Sequence, residues 1–381
     1  MLLTALCGIL LLTGCQNDPS ADGNSVDLPP LEEDYHIPES KWGYMNRSGN
    51  LVIAAEYDDA RDFSEDYAVV RKGGLWGYIN RSGKTVISLQ YRGAFDFTDG
   101  RGRVQEKSGL YGFLDRQGQP VIPAQYEELF DFAGGLARMR AAENYGYIDK
   151  SGKQVIPTEY EAAENFKNGY AVVKKDGKYG VIDPTGAVVL PFAYQRVGTF
   201  AGGLFRVKKD NKYGFVNLRN EVIIPLVYKN AKDFDLGHAP VKQDGKWGLT
   251  DTLGTLSEAP QYNQMWYAGE EMWAVEKKGK YGYIAADGTV KIPLEYDQVQ
   301  SFAEGMTGYA RGELWGYMDK NGKEITPAHF GLVWSYKEGL ARVAARDGIG
   351  YLNKQGEVKV LPGGRADERD FSQGLARVQI F

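Results

Sequence analysis

Few residues in this chain are placed to do chemistry. Its three histidines, His36, His238 and His329, show no metal-binding or nucleophile–base spacing. Adjacent carboxylates at Asp58-Asp59, Glu127-Glu128 and Glu270-Glu271 have the residue types that glycoside hydrolysis uses as acid and base. Neighbouring acids on a solvated loop are, however, the ordinary case. No Gly-Lys-Ser or Gly-Lys-Thr is present to cradle a phosphate. A recurring Asp-x-x-Gly offers calcium one carboxylate per turn, yet asparagine takes the acid's place in four copies, and a turn capped by its own side chain needs no ion. These features imply no cofactor, no metal and a protein that is not an enzyme.

The only two cysteines, Cys7 and Cys15, stand at the start of the chain. The apolar run from Met1 to Leu12 is shorter than the ~20 residues a membrane-spanning helix needs, and it reads as the hydrophobic region of a signal peptide. It ends in Leu12-Thr13-Gly14-Cys15, which resembles the lipobox of bacterial lipoproteins. That resemblance implies lipidation at Cys15, removal of the peptide before it, and a membrane partner reached through the lipid. Gln16 is not the aspartate that resembles an inner-membrane retention signal, so the outer membrane is favoured if the cell is Gram-negative. Residues 16–40 are rich in Pro, Ser, Asn and acids and read as a flexible acidic tether, reaching on the order of 28 Å as a coil. The net charge of −5 argues against a nucleic-acid partner, which needs a basic face.

From residue 41 to 381 one signature sets the organisation. An aromatic followed by glycine recurs at Trp42, Trp76, Tyr111, Tyr145, Tyr179, Tyr213, Trp247, Tyr281 and Trp315, with Ile349 as a degenerate tenth. The spacing is close to 34 residues throughout, which marks a tandem array and not a set of unrelated domains. Four residues after the anchor comes Asn or Asp in nine of ten copies, as at Asn46 and Asp149, and three further on comes glycine in nine of ten, as at Gly49 and Gly152, with Asn220 substituting. That is the chemistry of a tight turn. β-Branched and aromatic residues alternate on either side, so the turn joins two strands. Proline at Pro123, Pro157, Pro191, Pro225, Pro293 and Pro327 is expected to end the second strand. A Tyr fifteen past the anchor and a Phe six residues later recur, and a third strand such as Leu136–Met139 leads into the next copy.

With Lys-Trp-Gly-Tyr at 41–44, Lys-Trp-Gly at 246–248 and Ile-Asp-Lys-x-Gly-Lys-x-Val-Ile-Pro at 148–157, the array resembles the WG-repeat (KWG) family. The resemblance implies an all-β repeat fold, common in secreted or envelope proteins, with no shared activity. The expected architecture is ten antiparallel units of three strands and a loop. An open, curved, solenoid-like array is favoured, since ten blades exceed the usual four to eight of a propeller; a closed propeller-like ring is the alternative, in which the last strand pairs with the first.

In a repeat the shared positions serve packing, so function is sought where one copy departs. The copy beginning at Trp247 departs most: Met265, Trp266, Tyr267, Met272 and Trp273 gather there. Trp266 and Trp334 share one offset with Phe95 and Phe130, which places all four on one side of the array. Trp266, Tyr267, Trp273 and Trp334 are therefore the candidate ligand-binding residues, either as a platform for sugar rings or as anchors for a protein; filling of gaps in weakened copies is the structural alternative. The expected role is a non-catalytic, lipid-anchored binding or scaffold module for an envelope protein or glycan, with a glycan-active enzyme using loop carboxylates as the competing reading.

Overall fold

The computed structural model describes residues 40–345, 348–360 and 365–380. Cys15, His36 and the tether up to residue 39 lie outside the described residues. The described chain forms ten four-stranded antiparallel sheets. The sheet here named blade 1 joins both ends of the array: its order is Leu51–Tyr57, Lys41–Asn46, Leu375–Ile380, Arg365–Glu368. Trp42 faces Gln379 and Tyr44 faces Arg377 across that pairing. Blades 2 to 10 then follow at 59–91, 93–126, 128–160, 162–194, 196–228, 230–262, 264–296, 298–330 and 332–360.

The array is therefore a closed ring, and the open solenoid that the blade count favoured is replaced by the propeller-like alternative. The physical reason is edge pairing. An unpaired first strand and an unpaired last strand would each expose a row of backbone donors and acceptors, and here each satisfies the other. Ten apolar cores confirm closure, one between each pair of neighbouring blades. The first joins Trp42, Tyr44 and Tyr57 to Phe63, Val70 and Ile79, and the tenth joins Tyr351 to Phe371, Ala376 and Val378.

A blade also differs from the expected unit in two ways. The loop contributes a fourth strand of its own, only two residues long in most blades, such as Asp59–Ala60 or Ala162–Ala163. Each blade thus combines the loop and third strand of one copy with the hairpin of the next. The prolines do not end their strand: Pro123 lies inside Pro120–Tyr126 and Pro157 inside Gln154–Tyr160. They sit where the ladder breaks register, between Ile122 and Tyr126 in blade 3, so no backbone N–H is missed.

That break explains the anchor glycine. The outer strand folds across the anchor strand at this point, and a Cβ on Gly43 would lie 2.6 Å from the Ile53 carbonyl oxygen and 2.8 Å from the Ala55 nitrogen. Gly77, Gly146, Gly214, Gly282 and Gly316 meet the same 2.6 Å approach to backbone. The hairpin turn is as the sequence implies: Asn46 Oδ1 accepts the N–H groups of Ser48 and Asn50, and Gly49 has φ +80°.

The residue that locks one blade to the next lies two past the anchor. Tyr44, Tyr78, Tyr147, Tyr283, Tyr317 and Tyr351 are essentially fully buried. Each donates its hydroxyl to a backbone carbonyl of the following blade, at 2.5–2.8 Å: Arg61, Phe95, Glu164, Gln300, Trp334 and Arg369 in turn. Each ring also packs on the recurring Phe or its equivalent, as Tyr44 on Phe63 at 4.9 Å and Tyr317 on Tyr336 at 5.1 Å. Such pairs contribute about 0.5–1.5 kcal/mol beyond burial.

Candidate functional site

Two sets of turns share one face of the ring: the hairpin turns and the two-residue turns that precede each third strand. Residues of the second set hold left-handed backbone, as Glu65 and Asp66 do at φ +49° and +71°. Ion pairs join the sets across neighbouring blades. Arg116 meets Glu65 at 2.9 Å, Lys150 meets Asp99 at 3.4 Å, Lys354 meets Glu304 at 3.1 Å and Arg47 meets Glu338 at 2.7 Å. The same glutamates accept backbone N–H groups of the next turn: Glu65 from Gly100, Glu304 from Gly339 and Glu338 from Gly374. The result is a belt of alternating charge stitched to the backbone.

The belt is interrupted over blades 5 to 8. Five residues past the anchor, where other copies carry Arg or Lys, these copies carry Pro184, Leu218, Thr252 and Ala286. The facing turns lose their acids in step: they hold Gly134-Gly135, Asn168-Gly169, Gly202-Gly203 and Leu236-Gly237. Among the described residues no ion pair links these turns. Instead the arc exposes Leu218, Leu236 and Leu253, at 40%, 63% and 79%. Leu236 occupies the left-handed region at φ +44°, a conformation that costs a non-glycine residue roughly 1–2 kcal/mol. The turn itself requires this backbone, as at Glu65 and Glu304, and here it presents an apolar side chain to solvent.

At the end of this arc lies a cleft of about 1000 Å³ across blades 7 to 9. Leu236, His238, Met272 and Trp273 line it, with Glu270, Glu271, Asp287, Lys291 and Lys320 around them. Its cause is a local exchange of sizes. Blade 8 has Ala268 where most copies have a buried Phe, and Trp273 where all but blade 6, which has Phe205, carry a small residue such as Ala68 or Ala137. Trp273 therefore fills the core between blades 7 and 8 with Leu249, Tyr262 and Met265, and it is 1% exposed.

The four aromatic candidates are not brought together. Trp273 is a core side chain that only floors the cleft, which corrects its reading as a ligand platform: the missing Phe left a hole that the indole fills. Tyr267 packs on it at 5.3 Å. Trp334 lies half-buried with the Arg342 guanidinium 4.5 Å above its ring, as Phe95 and Phe130 lie under Arg103 and Arg138 at 3.5 and 3.8 Å. Trp266 has Ala274 in place of that arginine and leans on Tyr281 at 6.2 Å.

These aromatics line the inner rim, as expected of one shared offset. The rim arginines reach the next blade's acids: Arg103 to Asp131 and Arg206 to Asp233 at 2.8 Å, Arg342 to Asp370 at 2.5 Å, and Arg377 to Asp62 at 2.8 Å. Burial pushes the carboxyls of Asp96 and Glu164 above their usual range. Asp96 also feels Arg377 of blade 1, and Glu164 feels Asp233 of blade 7, so groups two blades apart interact here, as only an inner rim allows.

The loop carboxylates find partners close by. Asp58 holds Lys41 at 2.7 Å and accepts the Gly73 N–H, Glu128 holds Arg140 at 2.7 Å, and Glu270 accepts the Gly305 N–H. The turn carboxylates accept their own backbone: Asp149 takes Ser151 and Lys153 N–H groups, and with the Ser151 hydroxyl foremost these hold it below the usual carboxylate range. His238 and His329 meet the nearby carbonyls of Leu236 and Pro327, and the His329 ring lies 3.9 Å from that of Phe330. Among the described residues no three His, Cys, Asp or Glu side chains gather as a metal site.

The leucine arc and the broken belt were missed from sequence. The signal was available: four consecutive copies lack a cation at one offset, and the facing turns lack its acid.

No characterised protein matched the sequence. Solved structures with a similar arrangement include the computationally designed Ika8 protein, 13% identical over 68% of this chain and 94% of that one, TM-score 0.37. A eukaryotic initiation factor is 12% identical over 84% and 95%, TM-score 0.45. PorZ, a surface component of the type-IX secretion system of Porphyromonas gingivalis, is 10% identical over 84% and 53%, TM-score 0.27. The profile of the WG containing repeat matches residues 42–76, 76–109, 111–141, 145–179, 179–213, 213–247, 281–312 and 315–345. It passes over the copy that opens at Trp247, the one that builds the cleft. With more than half of its length matched, the chain belongs to the WG-repeat family.

Proposed function

We propose that this chain is a non-catalytic envelope protein, lipid-anchored through Cys15, whose ring serves as a binding or scaffold module for a protein partner. The observation that carries the reading is the arc over blades 5 to 8, where charge is removed from both sides of every contact and Leu218, Leu236 and Leu253 are exposed. Clustered apolar side chains beside a cleft are the usual marks of a protein-binding surface. A protein is favoured over a glycan because Trp273 is buried and Trp334 is already covered by Arg342, which leaves Trp266 alone to stack a sugar ring. The glycan-active alternative has little support, since each loop acid pair includes a carboxylate engaged by a lysine, an arginine or a backbone N–H. The outer membrane, in a Gram-negative cell, remains the proposed address.

The test is cross-linked capture from the intact native envelope with the lipoprotein and with a Leu236→Asp/Leu253→Asp variant. Both sites are exposed, so the variant is expected to keep its melting temperature and to lose the partner. Capture of the same partner in equal yield by the variant overturns the proposal.

A further inference from the structure

The opposite face of the ring carries a second asymmetry. There the third strands turn into the anchor strands, and in blades 6 to 8 those turns read Lys209-Asp210-Asn211-Lys212, Gln243-Asp244-Gly245-Lys246 and Lys277-Lys278-Gly279-Lys280. Lys209, Lys212, Lys229, Lys246, Lys277 and Lys278 are all exposed. None of them has a carboxylate within ion-pair distance among the described residues. Lys246 and Lys277 donate to the neutral amides of Asn263 and Gln261, and Lys277 also lies 6.0 Å over the Tyr262 ring. Asp210 and Asp244 are the exposed acids of these turns, and the buried Glu276 accepts the Gly279 N–H beneath the third.

Blades 2, 5 and 9 neutralise the same position. The outer-strand residues flanking the recurring Tyr are Glu56 and Asp58 beside blade 2, Glu159 and Glu161 beside blade 5, and Glu295 and Asp297 beside blade 9. They hold Lys72, Lys175 and Arg311 at 2.7, 2.8 and 2.9 Å, and Asp297 also holds Lys280, the last lysine of the blade 8 turn, at 2.6 Å. Beside blades 6, 7 and 8 the same positions are Ala193, Gln195, Val227, Lys229, Gln261 and Asn263. A chain of net charge −5 thus concentrates unneutralised lysine on one arc of one face.

The N-terminal segment joins the ring on that face. Lys41 pairs with Asp58, which accepts the N–H of Gly73 in the Lys72–Leu75 turn. Strand Lys41–Asn46 then runs away from these turns to the hairpin turn at Asn46–Gly49. Ser40, the first described residue, therefore lies on the lysine-bearing face, fixed by Gln379 at 2.7 Å.

We infer that the lysine arc of blades 6 to 8 docks on the anionic headgroups of a phospholipid bilayer. The inference rests on the lipid-anchor reading, which brings the ring to a membrane. One lipid modification binds reversibly, and a basic patch is the second contact that makes anchoring stable. Charge also sets the tilt: the lysine arc approaches while exposed Glu106, Glu127 and Glu143, on the same face, are held off. The leucine arc then faces away from the bilayer.

The processed full-length chain is bound to vesicles of phosphatidylcholine alone or with phosphatidylglycerol, and each lysine is read by amine acylation and mass spectrometry. On the anionic vesicles Lys209, Lys212, Lys246 and Lys278 are expected to be protected, while Lys320 and Lys323 on the other face label as before. Added salt removes the protection. Lys212→Gln and Lys246→Gln each lower the docked population by ~5-fold, read at Lys209 and Lys278. Equal labelling on both vesicles, or protection of Lys320 and Lys323 instead, overturns the inference. A processed chain with no acyl group on Cys15 sinks the anchor alone and leaves the vesicle comparison standing.

Discussion

The contact between blades 1 and 2 and the contact between blades 7 and 8 solve one packing problem in opposite ways. In the first, Tyr44 packs on Phe63 and hands its hydroxyl to the Arg61 carbonyl. In the second, Leu249 replaces the tyrosine, Ala268 takes the phenylalanine's place in the sequence but packs into the core between blades 8 and 9, and Trp273 reaches in from the third strand. Eight of the ten contacts keep a ring on a ring. The difference teaches that the volume between blades is conserved while its source is not. Where the source changes, the surface above it changes too, since the cleft opens over the exchanged pair.

The largest effect should come from breaking that exchange. Trp273→Ala removes a large buried side chain, matched at its position by Phe205 of blade 6, and is expected to cost about 3–5 kcal/mol, read as a lower urea midpoint. Adding Ala268→Phe restores the pattern of blade 2 and should recover most of the loss. If the double variant is as unstable as the single one, the two positions do not share one volume. In the regular contact between blades 4 and 5, Phe166→Ala should cost a similar amount, with no single substitution available to restore it.

Much of this was legible in the sequence, and the limits have physical causes. The period, the strands and the hairpin turns follow from spacing and turn chemistry, because Asn46 and Gly49 act within a few residues of themselves. Closure was not legible, since a strand seeking a partner reads the same in a ring and in an open array. The buried tyrosines were overlooked beside the more regular aromatic-glycine pair. That pair marks an exposed crossing more than a core: Trp76, Tyr145 and Tyr213 are only half-buried, and cations such as Arg71 lie over them. Trp273 was misread because an unusual aromatic looks the same from sequence whether it fills a hole or faces solvent.

Glycine at the crossing is common to both contacts, so it tests whether the difference is confined to the packing. Gly146→Ala and Gly248→Ala each force a methyl into the backbone of the crossing strand, at an expected cost of roughly 1–3 kcal/mol. Equal losses in thermal melts would sharpen the comparison. A much smaller loss at Gly248 would show that blade 7 also departs in its strand crossing.

A smaller effect separates the hydroxyl from the ring. Tyr44→Phe keeps the contact with Phe63 but leaves the Arg61 carbonyl without its donor, at about 1 kcal/mol. Leu249 never made that bond, so Leu249→Phe in blade 7 gains no polar contact, and crowding is its only expected consequence. On the inner rim of the regular side, Asp96 lies near Asp62 and Asp131, and burial raises its carboxyl above the usual range. A carboxyl whose folded pKa is raised favours folding while protonated, and that contribution is lost as pH rises through the raised value. Asp96→Asn should therefore raise the melting temperature at neutral pH, with the gain vanishing at acid pH.

The smallest change has the most telling sign. Leu236 and Glu304 occupy the same left-handed turn position, at φ +44° and +54°. Glycine adopts that backbone without strain. Leu236→Gly should therefore leave stability unchanged or raise it by up to about 1 kcal/mol, because the leucine makes no inter-blade bond to lose. Glu304→Gly gains the same relief but gives up the Gly339 N–H and the Lys354 ion pair, so its net effect should be a loss. If Leu236→Gly melts lower than the parent, the leucine is held by packing and the arc is structural; if it melts at or above the parent while partner capture falls, strain at Leu236 persists for binding.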